Sequence, residues 1–369
     1  MNNLTIDDRL DLIKQVGEEI IEEAELRKLL ESNEPLIAYD GFEPSGQIHI
    51  AQGLLRAINI NKMIKAGFKF KMWIADWHAV TNNKMGGDLK KLHTVAEYFI
   101  EVWKASGMDL NNVEFLWASD MVKKPEYWSL VINVGRTNKL ARFVRTAEFM
   151  GREDSAEKLT AAQIIYPCMQ IADIFMLGAR VTQLGMDQRK VNMLAREIGP
   201  QLGFWKPVVV SHHMLMGLSA PQKSSDIKDN AEEAKKSRTI AIKMSKSNPD
   251  NAIFMTDSTE DVKRKINKAF CPEGQVENNP ILEYCKYILF ERFENMVVER
   301  PQKFGGPVIL NSYANLEKLF ANKEIHPMDI KQAVIKYLNE ILEPVRQHFR
   351  DNLFAKSLLE KVKSFQVTR

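Results

Sequence analysis

Between Leu36 and Val210, short apolar runs alternate with amphipathic stretches of helical period, and this alternation restricts the fold more than any other feature. Leu36-Ile-Ala-Tyr-Asp40, Phe68-Lys-Phe-Lys-Met-Trp-Ile-Ala75, Val113-Glu-Phe-Leu-Trp-Ala118, Arg180-Val-Thr-Gln-Leu184 and Val208-Val-Val210 read as five strands. Helical patterns fill 49–65, 88–106, 126–148, 156–176 and 188–198. Parallel neighbours need a crossover and a helix supplies it, so the pattern predicts a doubly wound parallel sheet. Ahead of it, Thr5-Ile-Asp-Asp-Arg-Leu10 opens a helix with a capping Thr and acids in the first turn. Leu10, Ile13, Val16, Ile20 and Ile21 continue that helix at its own spacing, and a second helix follows over 23–30. The polar stretch from Ser219 to Thr239 reads as a mobile insertion, and after Thr259 every segment is helical in pattern. The expected class is α/β: a doubly wound parallel-sheet domain followed by a mostly α-helical C-terminal domain.

Composition excludes several functions. Cys168, Cys271 and Cys285 are widely spaced with no Cys-x-x-Cys pair, which argues against a disulfide framework or a cysteine zinc site and suits a reducing compartment. No apolar run approaches the roughly 18 residues of a membrane span. The acidic opening residues predict no signal peptide. Net charge is only +3, but from Val262 onward 18 Lys+Arg face 13 Asp+Glu. That excess is compatible with a polyanionic partner, although an ordinary solvated helical surface explains it equally well. The phosphate-loop and dinucleotide glycine fingerprints are both absent. His212 and His213 are adjacent, so their side chains diverge, and with no carboxylate at ligand spacing a structural role is favoured over metal binding.

Two segments carry chemistry. Pro44-Ser-Gly-Gln-Ile-His-Ile-Ala-Gln52 stands where the first strand meets a helix, whose free N–H groups and positive dipole end suit phosphate. Lys243-Met-Ser-Lys-Ser247 follows the polar insertion, and its two lysines and two hydroxyls suit a polyphosphate. Between them, Tyr166, Gln170 and Asp173 fall at i, i+4 and i+7 on one helical face. Gly185-Met-Asp-Gln188 leaves a strand, and Tyr39 and Gly41 end the first strand.

In this order the segments resemble class I aminoacyl-tRNA synthetases, and the set is similar to the tyrosyl-tRNA synthetases of archaeal and eukaryotic cytosolic type. The match is clearest from Leu36 to Phe290. The resemblance implies a Rossmann-like catalytic domain over 1–235 with an insertion near 120–160, a linker and mobile loop over 236–260, and an anticodon-binding domain over 261–369. It implies that Tyr39 and Asp173 meet the phenol hydroxyl of tyrosine, that Tyr166, Gln170 and Gln188 surround its α-ammonium group, and that Gly41 lines the pocket. Gly41, Ser45, Gly46, His49, Gln52, Lys243, Met244, Ser245, Lys246 and Ser247 would meet ATP, with His49, Gln52, Lys243 and Lys246 in catalysis. The family's His-Ile-Gly-His tetrad stands here as His49-Ile-Ala-Gln52, with Ala51 for the glycine and Gln52 for the second histidine.

The implied partners are L-tyrosine, ATP with Mg²⁺, tRNA(Tyr) and a second copy of the chain, in the cytoplasm, with no tightly bound cofactor or structural metal. The insertion, where Arg136, Lys139, Arg142 and Arg145 mix with Leu140, Phe143 and Val144, would form the dimer interface and meet the tRNA acceptor end. Periodicity alone says only amphipathic surface helix. Phe270, Tyr284, Tyr287 and Phe290 are candidates for base stacking, though most also suit a packed core. The rival readings are a tryptophan-specific or other class I adenylate-forming enzyme, and a synthetase-like binder without activity.

Overall fold

The structure is a computed structural model and describes residues 4–149, 159–220, 244 and 249–365. Helix α1 (Ile6–Lys14) starts at Thr5, whose hydroxyl accepts the Asp8 N–H at 3.1 Å while the Asp8 carboxylate accepts the Thr5 N–H at 2.9 Å. This reciprocal pair satisfies two N–H groups that a helix end leaves open. The helix does not continue through Ile21 as its spacing suggests. Gly17–Ile21 is a strand, β1, and pairs antiparallel with a later edge. Helix α2 (Glu23–Glu31) leads to β2 (Ile37–Phe42), α3 (Leu54–Lys65), β3 (Lys69–Ile74), α4 (Asp76–Thr81), α5 (Leu89–Ala105) and β4 (Val113–Trp117). The short α6 (Ala118–Met121) precedes α7 (Pro125–Thr137) and α8 (Leu140–Phe149). Those two replace the single helix expected over 126–148, with the break at Asn138, which is in extended conformation. Then come α9 (Ala161–Met176), β5 (Val181–Gly185), α10 (Arg189–Gln201) and β6 (Val208–His212).

The sheet order is β1-β6-β5-β2-β3-β4, parallel except for β1. The chain moves outward from β2 to β4, then returns to lay β5 on the other side of β2. Ligands of such sheets bind beyond the strands' carboxyl ends, where the order reverses. The registers show where that crevice opens. Strand β2 pairs with β3 from Ile37 to Phe42 but with β5 only at Ala38 and Tyr39. Successive strand residues face opposite ways. Ala38, Phe70, Met72 and Ile74 therefore pack with α1, α3 and α5, while Tyr39, Trp73 and Leu184 pack with α7, α9 and α10.

Beyond residue 249 the chain is mostly helical: α11 (Thr259–Lys268), α12 (Pro280–Tyr284), α13 (Tyr313–Ala321), α14 (Pro327–Asp351) and α15 (Leu353–Ser364). One departure from the expectation occurs. A small hairpin, β7 (Met296–Val298) with β8 (Val308–Leu310), interrupts the helices. Helix α14 contains Pro344. Helix α15 returns along α5, and His348 meets Glu101 of α5 at 2.7 Å, so this region shares the first core. The expected insertion over 219–239 falls, from residue 221 on, outside the described residues. No helix among them is long and apolar enough to cross a membrane.

Candidate active site

Tyr39 ends the β2–β5 pairing and projects onto the α9 side of the sheet, where α9 presents Tyr166, Gln170 and Asp173 on one buried face. Asp173 is 1% exposed, and a carboxylate so deep needs partners. It has three. The Trp73 indole donates to Oδ2 at 3.1 Å, His78 Nε2 lies 2.9 Å from Oδ2, and the Tyr127 hydroxyl donates to Oδ1 at 3.0 Å. An ionised carboxylate offers about four lone-pair sites, so one acceptor position on Oδ1 is left. Burial alone would depress the His78 imidazole, but the charge and hydrogen bond of Asp173, backed by Glu43 and Asp76, hold it above its ordinary value. Burial and then the Asp173 charge push Tyr127 far up, which keeps it a donor. Tyr39 is likewise pushed well up by burial and then by Asp173. Its hydroxyl is buried beside Asp173, with the Gln170 side chain as its hydrogen-bonding neighbour.

On the open side of this pocket, Gln170 Nε2 donates to Gln188 Oε1 at 3.2 Å. Gln188 stands at the start of α10 just past β5. The Tyr166 hydroxyl donates to Glu43 at 2.7 Å, and Asn82 donates to the same oxygen at 2.5 Å. The structure thus brings Tyr39, Tyr166, Gln170, Asp173 and Gln188 together at the crevice, with Gly41 at the end of β2. Sequence reasoning missed Glu43, Trp73, His78 and Tyr127. Glu43, Trp73 and His78 lie at or just beyond the strands' carboxyl ends, a signal available from the fold class alone. Tyr127 gave no such signal, because only packing brings α7 onto α9.

The segment over 44–52 is a compact turn rather than the start of the helix expected from residue 49. Gly46 takes φ +84°, a left-handed conformation that glycine adopts without strain. His49 is buried, and its carbonyl accepts the N–H groups of Gln52 and Gly53, both at 2.9 Å. Ser45 donates to the Glu43 carbonyl at 3.4 Å. The Trp103 indole donates to the Gln52 carbonyl at 2.9 Å, while Gln52 Oε1 is buried without a partner. The chain returning at 253–255 pairs with this turn: Ile50 N–H donates to the Ile253 carbonyl at 2.9 Å and Met255 N–H to the Ile48 carbonyl at 3.0 Å. Met244 is buried, and its N–H donates to the Leu215 carbonyl at 2.8 Å. Lys243, Ser245, Lys246 and Ser247 lie outside the described residues.

Beneath the crevice, on the opposite sheet face, Asp40 and Arg56 form an ion pair. Arg56 also donates to His212 Nε2 at 2.8 Å, and Gln183 lies 2.6 Å from His212 Nδ1. Burial, then Arg56, keep His212 well below its ordinary value and so neutral, able to accept. Burial raises Asp40 to about 7 against the pull of Arg56. His213 points away, between Glu18 at 3.2 Å and Glu283 at 3.1 Å. Among the described residues no three His, Cys, Asp or Glu side chains gather as a metal site.

The profile of the family described as tRNA synthetases class I (W and Y) matches residues 31–240 and 237–343. Tyrosine–tRNA ligase 1, cytoplasmic, of Arabidopsis thaliana is 48% identical, over 99% of this chain and 90% of its own length. Tyrosine–tRNA ligase of Saccharolobus islandicus is 43% identical, over 99% and 100%. The tyrosyl-tRNA synthetase of Pyrococcus horikoshii, solved with L-tyrosine, superposes with a TM-score of 0.88 at 38% identity, covering 98% of this chain and 100% of that one. The Leishmania major enzyme, solved with tyrosinol, gives 0.87 at 42%, with this chain spanning 54% of that longer one. A tryptophanyl-tRNA synthetase of Encephalitozoon cuniculi shares the fold alone, with a TM-score of 0.68 at 16% identity over 98% and 93%. The chain belongs to the class I tRNA synthetases, on their tyrosine–tRNA ligase branch.

Proposed function

We propose that this chain joins tyrosine to tRNA(Tyr) in two steps run at the β2–β5 crevice. The observation that carries the amino-acid assignment is the buried Asp173 carboxylate, whose Oδ1 takes one donor, the Tyr127 hydroxyl, and so keeps room for a second. A phenol entering the pocket donates its proton there, and Tyr39 donates to the phenol oxygen, which pairs both polar groups. Gln170, Gln188 and the Tyr166–Glu43 pair face the other end, where an α-ammonium needs acceptors and a negative charge. The tyrosine carboxylate, already ionised at neutral pH, attacks the α-phosphorus of ATP, supplied as its magnesium complex, and pyrophosphate leaves. No general base is required, so positioning and charge stabilisation do the catalytic work. His49, Gln52, Lys243 and Lys246 are the donors and charges toward the phosphates. The tethers of residues 253–255 and of Met244 support a phosphate site beside the His49 turn. A terminal ribose hydroxyl of tRNA(Tyr) then takes the tyrosyl group and AMP leaves.

The basic excess after Val262 supports tRNA contact by the helical region. Tyr284 is no base-stacking candidate there: it is fully buried and its hydroxyl donates to the Met216 carbonyl at 3.1 Å. Exposed Trp128 and Ile132 on α7, Leu140 on α8 and Ile165 on α9 support a homodimer through this region. The enzyme acts in the cytoplasm on this reading. The test is pyrophosphate exchange with the full chain. Exchange that depends on tyrosine, and is weak with tryptophan and phenylalanine, is expected. Exchange driven by tryptophan, or none with any amino acid, would refute the assignment.

A further inference from the structure

Past β6, the stretch from His213 to Ser219 is tied on both sides. Toward the helical region, Glu283 accepts the Met216 N–H at 2.9 Å, the Tyr284 hydroxyl donates to the Met216 carbonyl at 3.1 Å, and Phe270 N–H donates to the Leu218 carbonyl at 2.8 Å. On the other side, the Leu215 carbonyl holds the Met244 N–H at 2.8 Å, and Leu218 N–H donates to the Asn251 carbonyl at 3.0 Å. A Cβ on Gly217 would sit 2.3 Å from the Asn251 side chain, so the strap lies hard against that turn. At its start, the His213 ring stacks on Tyr287 with centroids 4.3 Å apart and planes at 12°. The ring's two nitrogens reach Glu18 of β1 and Glu283 of α12.

We propose that residues 213–219 form a strap that fixes Met244 relative to the helical region, with His213 as the positioning residue that anchors it. Because Glu283 holds both His213 and the Met216 N–H, a displaced α12 moves the strap, and the strap carries Met244 with it. The groups facing His213 are Glu18, Glu283 and Tyr287, with Lys286 over the far ring at 5.1 Å and neutral His212 next in the chain. Burial opposes the imidazolium, but the two glutamates raise it to about 9, so the anchor stays charged at neutral pH. Its consequence for activity rests on the reading of Met244 as part of the ATP-binding segment. The strap itself does not depend on that reading.

The experiment is hydrogen exchange of the Met244 amide in the full chain, comparing wild type with His213→Gln and Glu283→Gln. Both variants are expected to lose protection at Met244 by at least about tenfold while β3 amides stay unchanged. In pyrophosphate exchange, the KM for ATP should rise at least about fivefold, with the KM for tyrosine within about twofold. His213→Lys, which restores a charge, should recover part of both, and the wild-type KM for ATP should rise as pH passes about 9. Unchanged Met244 protection would overturn the strap, as would both KM values moving together. If His213→Gln fails to fold, Glu283→Gln reads the same quantities with the imidazole and Glu18 intact. The amide measurement stands whether or not the wild type uses tyrosine, which separates this proposal from the functional one.

Discussion

Asp173 shows how much chemistry one residue can draw from its surroundings. Its place on the face shared with Tyr166 and Gln170 was legible from helical spacing. The three donors that hold its carboxylate were not, because Trp73, His78 and Tyr127 come from elements 46 to 100 positions away in the chain. Glu43 was equally hidden, although the motif surrounding it was recognised. Its partnership with Tyr166 spans 123 positions. Glu43→Gln tests the ammonium end of the pocket. The amide still accepts from Tyr166 but lacks the charge, and a charge-assisted hydrogen bond contributes about 1.5–3 kcal/mol. The KM for tyrosine should rise by roughly tenfold or more with kcat less affected, measured in pyrophosphate exchange. An unchanged KM would leave Glu43 as a loop-fixing residue only.

At the scale of elements, the parallel strands were legible and the antiparallel ones were not. The five parallel strands fell where apolar-rich runs predicted them, most plainly β5 and β6, which are buried along their whole length. Strand β1 was read as helix because Val16, Ile20 and Ile21 suit either period. Its partner β6 lies about 190 residues away, and only that pairing decides the matter. The β7–β8 hairpin has three residues per strand, too short to show alternation. The turn carrying His49 depends on a different long-range pairing, with 253–255, which no local pattern announced. Gly53 is the close point of that contact: a Cβ there would stand 2.3 Å from Met255 Sδ and 2.6 Å from its Cγ. Gly53→Val is expected to lower stability by about 1–3 kcal/mol, as overpacking does, and to raise the KM for ATP more than the KM for tyrosine. Denaturant unfolding and pyrophosphate exchange measure the two effects. Equal stability would show that Met255 yields freely.

At the scale of the molecule, one crevice and one exposed apolar face account for the proposed assembly. Ile132 and Leu140 are more than half exposed, on the successive helices α7 and α8, and large apolar side chains left open on adjacent elements suit a protein partner. A two-fold interface here predicts that light scattering at micromolar concentration returns about twice the chain mass. Ile132→Asp should shift the population toward one chain mass, and a wild-type monomer would contradict the interface. The order of the two large parts was legible from composition and period. The ties of residues 213–219 were not, because they join groups far apart in the chain, 67 and 68 positions for those of Met216 to Glu283 and Tyr284.

The most direct test of the central claim is the ratio of kcat/KM for tyrosine to that for phenylalanine in wild type and in Asp173→Asn, with thermal unfolding confirming that both are folded. Tyrosine and phenylalanine differ by one hydroxyl, so the ratio reads the groups that meet it, and its change on Asp173→Asn reads the share of Asp173. Asparagine keeps the shape but loses the charge, so it binds the phenol proton and its three donors less strongly. A buried polar group left without its partner costs about 1–3 kcal/mol, roughly 5- to 150-fold. The ratio should fall by at least about tenfold, chiefly through slower tyrosine activation, with phenylalanine little changed. A ratio unaltered in a folded Asp173→Asn protein would make Asp173 a structural residue and remove the physical basis of tyrosine recognition.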